Sequence, residues 1–164
     1  MVESVYVHAP FCARRCFYCD FAVHVRRVAD HREWTQALQA ELSALEAEGL
    51  CTLGSPLLTL YVGGGTPSLL GSEAMQGLAE VLGPDRLDGG CLEWTAEANP
   101  ESLTPEVARA WRAAGVTRLS LGVQSFEDGP LRWMGRLHGA RGALEAIATA
   151  RAAGFENLSA CPRP

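Results

Sequence analysis

Three cysteines lie within eight positions near the start of the chain. The stretch HAPFCARRCFYCDF, residues 8–21, contains Cys12, Cys16 and Cys19 in the spacing C-x3-C-x2-C. Protein thiolates select iron–sulfur clusters, zinc or copper(I) among the common metals. Structural zinc sites usually have four closed ligands, often from paired C-x2-C units, and this stretch has no fourth cysteine. Three thiolates would instead leave the fourth iron of a cubane cluster open, so the spacing favours an iron–sulfur cluster.

The alternative interpretation of the same spacing is a zinc site, with His8 or His24 as the fourth ligand. Arg14 and Arg15 lie inside the loop, where their charges would favour thiolates and an anionic cluster. The other cysteines are isolated in the sequence and are expected to be small core or surface residues: Cys51, Cys91 and Cys161.

Length and composition are those of one ordinary globular domain. The 164 residues are 48% apolar and 20% charged, with a net charge of −5 that gives no electrostatic argument for a nucleic-acid partner. All 14 basic residues are arginine, which excludes Schiff-base chemistry by a lysine. We found no export signal and no apolar run of membrane-spanning length, and clustered cysteines favour a reducing compartment. We therefore expect a cytoplasmic protein, which is compatible with a membrane-associated partner.

Strands and helices alternate along the chain. Strands are predicted at residues 4–8, 57–62, 92–98, 117–123 and 157–160, and helices at residues 30–49, 72–82, 104–115 and 140–153. In the last helix, Leu144, Ile147 and Ala148 are expected to face inward. Four βα units in a row predict an α/β fold with a parallel sheet and helices outside it.

The predicted strands alternate between apolar and polar residues, whereas strands buried on both faces read as continuous apolar runs. In the first strand Val5 and Val7 oppose Tyr6 and His8. The third and fourth strands alternate in the same way. One face would meet the helices, and the polar face would form the concave side of a curved sheet that holds a polar ligand. An open sheet with one face in water is the alternative.

The unusual stretches all follow predicted strands, where active sites of parallel βα folds collect. The cysteine loop follows the first strand, GGGTP the second, EANP the third and QSF the fourth. GGGTP matches neither a P-loop nor a dinucleotide fingerprint, but its glycines would let backbone amides and carbonyls approach a ligand. A tight strand-to-helix turn explains the glycines equally well. Glu97 adds a carboxylate at the end of the third strand.

The motifs together resemble a known family. C-x3-C-x-aromatic-C on the first βα loop is similar to the radical S-adenosylmethionine (SAM) superfamily. The fuller set YVHAPFCARRCFYCDF, YVGGGTPSLL, EANPESLT, RLSLGVQSF and GRLH resembles its oxygen-independent coproporphyrinogen III oxidase family, from Val5 to about Ser159. The resemblance implies a partial (β/α) barrel that holds a [4Fe-4S] cluster and SAM. In such proteins the open iron binds SAM, and one electron cleaves SAM to methionine and a 5′-deoxyadenosyl radical.

The resemblance also implies a set of cofactor-binding residues. The cluster ligands would be Cys12, Cys16 and Cys19. The backbone cradle for the methionine end of SAM would be Gly64, Gly65 and Thr66. The side chains expected to contact SAM or to lie beside the cluster are Tyr6, Tyr18, Glu97, Gln124 and Arg136.

The residues after the third cysteine distinguish two branches of the family. The oxidases carry a further cysteine there, whereas this chain has Asp20 and Phe21, as in the heme chaperones. The resemblance therefore implies heme as cargo, with a heme-accepting protein and an electron donor as partners, and a SAM cleavage that is latent or only regulatory. Two alternatives remain open: a coproporphyrinogen III oxidase, and an inactive fragment or zinc-stabilised fold.

The end of the sequence departs from the family pattern. After NLS the family continues into a strand with an aspartate and a GLPGQT-like loop, whereas this chain reads NLSACPRP. Cys161 takes the position of that aspartate, and the following prolines cannot continue a central strand. We expect residues 1–164 to be the N-terminal part of a radical SAM core, with about four βα units. The rest of the barrel and the heme-handling region would be absent, leaving an unprotected strand edge.

Overall fold

The structure, a computed structural model, describes residues 1–88, 90 and 92–162, with the backbone alone at residues 161 and 162. The expectations for Cys91, for the side chain of Cys161 and for residues 163–164 therefore lie outside the described residues.

Five parallel strands form the main sheet. The described residues contain seven strands in all: β1 (Ser4–Ala9), β2 (Phe11–Cys12), β3 (His24–Val25), β4 (Thr59–Gly64), β5 (Glu93–Ala98), β6 (Arg118–Gln124) and β7 (Asn157–Pro162). The main sheet has the order β1-β4-β5-β6-β7, and β2 pairs with β3 in a small parallel ladder inside the cysteine loop. Within the described residues β1 and β7 are the two edges, so the sheet is open.

Helices connect the successive strands. They are α1 (His31–Ala47), α2 (Ala74–Leu82), α3 (Pro84–Leu87), α4 (Pro105–Ala114), α5 (Asp128–Trp133) and α6 (Ala140–Ala152), with a 3₁₀ turn at Pro67–Leu70. The predicted start of α1 is confirmed, because the Asp30 carboxylate accepts from the Arg32 amide. Thr104 caps α4 in the same way, and this helix ends at Gly115 with a left-handed backbone. No helix among the described residues is long and apolar enough to cross a membrane.

The strand order explains the shape of the fold. Consecutive strands are neighbours and all run parallel, so each crossover advances in the same direction across the sheet. Helices α1, α2, α4 and α6 contact one another in this order, as expected for right-handed crossovers that place them on one face. A doubly wound sheet would reverse its order at the centre and have helices on both faces. The predicted α/β fold with a partial barrel is therefore confirmed.

The pairing register separates an apolar face from a polar one. Val7, Val62, Ala96 and Leu119 are aligned on neighbouring strands and are all buried. The aligned row one residue earlier is polar: Tyr6, Tyr61, Thr95 and Arg118. Because side chains alternate along a strand, these rows lie on opposite faces of the sheet. The predicted alternation is confirmed, although Thr95 is itself buried.

The inward face of α6 differs from the prediction. Its buried residues are alanines, Ala143, Ala146 and Ala150, whereas Leu144 is 60% exposed. The prediction was wrong for Leu144 and for Ala148, which is also exposed. A face of small side chains lets a helix approach its neighbours closely, and that face packs against α4 and β6.

Candidate cofactor site

The cysteine loop and the glycine turn are joined by backbone hydrogen bonds. The Gly65 amide donates to the Ala9 carbonyl at 2.8 Å, and the Thr66 amide donates to the Phe11 carbonyl at 2.7 Å. A β-carbon at Gly65 would lie 2.6 Å from the Phe11 carbonyl oxygen, so only glycine permits this approach. These hydrogen bonds therefore hold the ends of β1 and β4 together, and the first cysteine, Cys12, lies next to this junction.

The amides of the glycine turn are already used inside the protein. The Gly64 amide donates to Glu97 Oε2 at 3.1 Å, and the amides of Gly65 and Thr66 donate to the cysteine loop. Gly64 has φ +107°, and a β-carbon there would collide with the imidazole of His8. A ligand at this turn would therefore meet carbonyl oxygens and side chains. That the glycines let backbone amides and carbonyls approach a ligand stays a prediction.

The cysteine loop holds three free, half-buried thiols. The Cys12 Sγ lies 3.4 Å from the Thr66 hydroxyl. Burial raises the pKa of Cys12, the Thr66 hydrogen bond opposes that rise, and the nearby Cys19 and Cys16 add to it. The three thiols are thus close enough to influence one another, at the carboxyl edge of the sheet.

Arg136 is the arginine beside the cysteines. Its Nη1 donates to the Cys16 Sγ at 3.6 Å, and its charge opposes the raised pKa of Cys12. Arg14 and Arg15, which the sequence suggested for this role, contact other groups. The Arg14 guanidinium lies over the Phe17 ring, and Arg15 donates to the Cys19 carbonyl.

Tyr18 lies in the same cluster as Cys16 and Arg136. Both of them influence the pKa of its hydroxyl. Burial raises the pKa of the Tyr18 phenol, and the charge of Arg136 opposes the rise. The predicted aromatic residue is therefore close to one of the predicted ligands.

The Arg136 side chain is buried, with 5% exposure, and connects three strand ends. Its Nη2 donates to Asn99 Oδ1 and to the Gly122 carbonyl, both at 2.7 Å, and lies 3.9 Å from Glu101 Oε2. Asn99 in turn donates to the Thr66 hydroxyl at 3.0 Å.

His138 completes this cluster and contacts both Glu101 and the Val123 carbonyl. Residue-by-residue reading of the sequence missed three members of the cluster: Asn99, Glu101 and His138. The available signal was their position inside the motifs EANPESLT and GRLH.

Glu97 is a second carboxylate near the site, on the polar face of β5. Its Oε1 accepts from the Tyr61 hydroxyl at 2.7 Å, and burial together with this carboxylate raises the pKa of Tyr61 to about 12. Tyr6 stacks on Tyr61 with 6.1 Å between ring centroids, and its hydroxyl lies 2.9 Å from His8 Nδ1. The predicted Tyr6 and Glu97 thus share one surface.

Two predicted contact residues carry buried polar atoms without a partner. Among the described residues, Gln124 Oε1 and Arg136 Nε are buried and make no hydrogen bond. Gln124 also has φ +65°, a conformation that non-glycine residues rarely adopt and that occurs at binding sites. Buried polar atoms are costly unless they are paired, so this edge of the sheet fits a polar ligand that would satisfy them.

Within the described part of the chain, no group of three His, Cys, Asp or Glu side chains is arranged to hold a single metal ion. Of the two histidines considered for zinc, His8 contacts Tyr6 and His24 is exposed on β3. A cubane cluster separates its ligands more widely than one ion does, and three adjacent thiols are the donor set that such a cluster uses.

Two proteins of established name are similar to nearly the whole chain. The chain is 37% identical to the heme chaperone HemW of Bacillus subtilis (strain 168) over 163 residues, covering 96% of this chain and 41% of that protein. It is 42% identical to HemW of Mycobacterium tuberculosis (strain ATCC 25618 / H37Rv) over 167 residues, covering 95% and 40%. The chain therefore spans about two-fifths of the length of these relatives.

A solved structure and a family model agree with these relatives. The coproporphyrinogen III oxidase HemN from Escherichia coli, described as a radical SAM enzyme, superimposes with a TM-score of 0.79 and 28% identity, covering 96% of this chain and 36% of that one. The family model of the radical SAM superfamily matches residues 6–161. This match spans nearly the whole sequence, and the chain belongs to the radical SAM superfamily.

Proposed function

We propose that this chain binds a [4Fe-4S] cluster and SAM and serves in heme delivery to acceptor proteins. The observation that carries the proposal is the joining of the cysteine loop to two other strand ends. Cys12 contacts Thr66 after β4, and Cys16 contacts Arg136, which is bonded to Asn99 after β5. The superfamily as a whole implies these two cofactors.

Cys12, Cys16 and Cys19 are the proposed cluster ligands. A [4Fe-4S] cluster with three protein ligands supplies one electron and an iron at which SAM binds. The chain contributes partial burial of Cys12, which limits water, and a cation beside Cys16. A nearby cation and a hydrogen bond to a ligating sulfur both favour the thiolate form.

The opposite charges of the site suit the charge pattern of SAM. SAM carries a carboxylate at one end, an ammonium and a sulfonium near it, and ribose hydroxyls beyond. The buried guanidinium of Arg136 suits the carboxylate, and Glu97 suits hydroxyl or cationic groups. Gln124 Oε1 and Arg136 Nε are polar atoms that a bound ligand would satisfy. The proposed remaining contacts are Tyr6, Tyr18, Gly64, Gly65 and Thr66.

Heme delivery is proposed because the relatives with 37% and 42% identity are named heme chaperones. A heme-accepting protein and an electron donor are the proposed partners, and a reducing compartment such as the cytoplasm is the proposed location. We also propose that residues 1–164 form the N-terminal part of a radical SAM core, since the described sheet is open. Coproporphyrinogen III oxidation is the second candidate, favoured by the TM-score of 0.79 to HemN.

The test is anaerobic reconstitution of the full chain with iron and sulfide, followed by EPR of the reduced protein with and without SAM. A [4Fe-4S] signal that changes on addition of SAM supports the cofactor assignment. A signal indifferent to SAM, or tight binding of zinc in place of iron, overturns it.

Heme titration and turnover of coproporphyrinogen III then distinguish the two functions. Stoichiometric heme binding without turnover supports the chaperone. Turnover would replace that assignment with the oxidase, and the absence of both heme binding and turnover would overturn both functions.

A further inference from the structure

The Arg136 guanidinium is a buried cation that neutral acceptors only partly satisfy. Asn99 Oδ1 and the Gly122 carbonyl each accept one hydrogen bond from Nη2, while Nε has no partner among the described residues. A buried charge is costly unless it is paired and hydrogen-bonded. Glu101 is the carboxylate in ion-pair range, at 3.9 Å from Nη2.

Glu101 lies closer to His138 than to Arg136. The distance from Oε2 to His138 Nδ1 is 3.2 Å, and the exposure of the carboxylate side chain is 22%. Burial alone would raise the pKa of Glu101, but the hydrogen bond from His138 and the charge of Arg136 outweigh it and leave that pKa below its ordinary value. Glu101 therefore remains an anion that lies between Arg136 and His138.

His138 anchors this anion to the sheet. Its side chain is 2% exposed, and its Nε2 lies 3.0 Å from the Val123 carbonyl at the end of β6. Both ring nitrogens therefore face oxygen atoms, those of the Val123 carbonyl and the Glu101 carboxylate.

We propose that Glu101 and His138 are positioning residues that fix Arg136, so that its guanidinium stays directed at Cys16 and at the ligand. Glu101 lies closer to His138 than to the guanidinium nitrogen Nη2. The other terminal nitrogen of Arg136, Nη1, donates to the Cys16 sulfur. Groups that hold a metal ligand or its partner typically contribute about 10–100-fold to affinity. The proposal rests on the proposed function for its effect on cofactors, but not for the position of Arg136.

The experiment compares Glu101→Gln and His138→Gln with Glu145→Gln as the matched control. Glu145 is an exposed glutamate of α6 that pairs with Arg141 at 3.2 Å. In the metal-free full chain, NMR measures solvent exchange of the Arg136 side-chain N–H protons. We expect at least about tenfold faster exchange in both test variants, from loss of a buried charged contact, and no change in the control. Unchanged exchange in the test variants overturns the proposal.

The reconstituted chain provides the second measurement, the midpoint potential of the cluster. His138→Gln should lower the potential, because an Arg136 guanidinium that moves away from Cys16 no longer stabilises the added electron. A midpoint potential in His138→Gln equal to that of the Glu145→Gln control would overturn the proposal. Affinity for SAM should fall about 10–100-fold in both variants.

The two measurements separate this proposal from the proposed function. A chain that binds no cluster overturns the proposed function, while the NMR comparison still decides whether Arg136 is held. If Glu101→Gln does not fold, His138→Gln carries the same test, because its amide retains a donor toward the Val123 carbonyl.

Discussion

The two ends of the candidate site hold opposite charges in similar surroundings. At one end the Glu97 carboxylate is held by neutral donors, the Tyr61 hydroxyl and the Gly64 amide. At the other end the Arg136 guanidinium is held by neutral acceptors, and its carboxylate neighbour Glu101 is shared with His138. Among the described residues, neither charged group has a close ion-pair partner of its own.

This difference from an ordinary salt bridge indicates a binding role. If Glu97 and Arg136 were paired with each other, each would neutralise the other, and little net charge would be left to attract a ligand. Neutral hydrogen bonds instead keep each charge oriented and leave it able to attract a ligand. A ligand with both signs of charge, as SAM has, would engage both ends.

The largest expected effect is at the cationic end, in Cys16→Ser. Serine keeps an acceptor for Arg136 but replaces the soft thiolate that iron–sulfur clusters require. We expect cluster iron to fall at least about tenfold after anaerobic reconstitution, measured by iron analysis and EPR. Cys51→Ser is the control, since Cys51 is a free thiol that packs against the core. Equal iron in the two variants would remove Cys16 from the ligand set.

Glu97→Gln tests the anionic end, with an effect on SAM rather than on iron. A hydrogen bond to a charged group contributes about 1.5–3 kcal/mol, so SAM affinity should weaken about 10–100-fold while the cluster is retained. Titration of the reconstituted chain with SAM measures the affinity. Glu93→Gln is the control, four residues earlier on the same face of β5 and exposed. If the two variants bind SAM equally well, the carboxylate at Glu97 has no part in binding.

Gly65→Ala tests the close contact between the glycine turn and the cysteine loop. A β-carbon would lie 2.6 Å from the Phe11 carbonyl and 2.8 Å from that of Ala9, so the backbone itself must move. We expect a loss of about 1–3 kcal/mol in the free energy of unfolding, measured by denaturant titration. Gly129→Ala is the control, because Gly129 lies in α5 with open space around it. Equal stability would show that the close approach is not needed.

The strand pattern of the sequence predicted the sheet faces correctly. A period of two places Tyr6 and Val7 on opposite faces, whatever the loops between strands do. The elements it missed are β2, β3, α3, α5 and the 3₁₀ turn, all too short to show a period. The inward face of α6 was missed because alanines supply it, and hydrophobic periodicity gives most weight to large residues such as Leu144.

The sequence predicted some members of the candidate site, but it missed Asn99, Glu101 and His138 and the contacts between the members. Strand-end positions and motifs gathered Cys16, Glu97 and Arg136 at one edge, and their binding roles remain predictions. The arginine beside Cys16 could not be chosen from the sequence, because Arg136 lies 120 positions away while two arginines lie in the loop. Such contacts depend on packing between loops, which local patterns do not specify.

Tyr61→Phe has the smallest expected effect and tests how Glu97 is held. One hydrogen bond is lost, so the free energy of unfolding at neutral pH should fall by about 0.5–1.5 kcal/mol. The pKa of Tyr61 is about 12 when folded, against an ordinary 10.0, so the folded chain retains a proton that the unfolded chain loses between these values. Stability should therefore decline as pH rises through this range, and Tyr61→Phe should reduce the decline.

Absorbance at the tyrosinate band, followed with pH, measures the same group directly. Tyr61→Phe should remove the step near pH 12. Glu97→Gln should move that step to lower pH, because the charge of Glu97 and the hydrogen bond to it help to raise the pKa of Tyr61. A step unchanged in Glu97→Gln would mean that burial alone sets this pKa. Tyr61 would then not orient Glu97, and the Gly64 amide would be the donor that holds the Glu97 carboxylate.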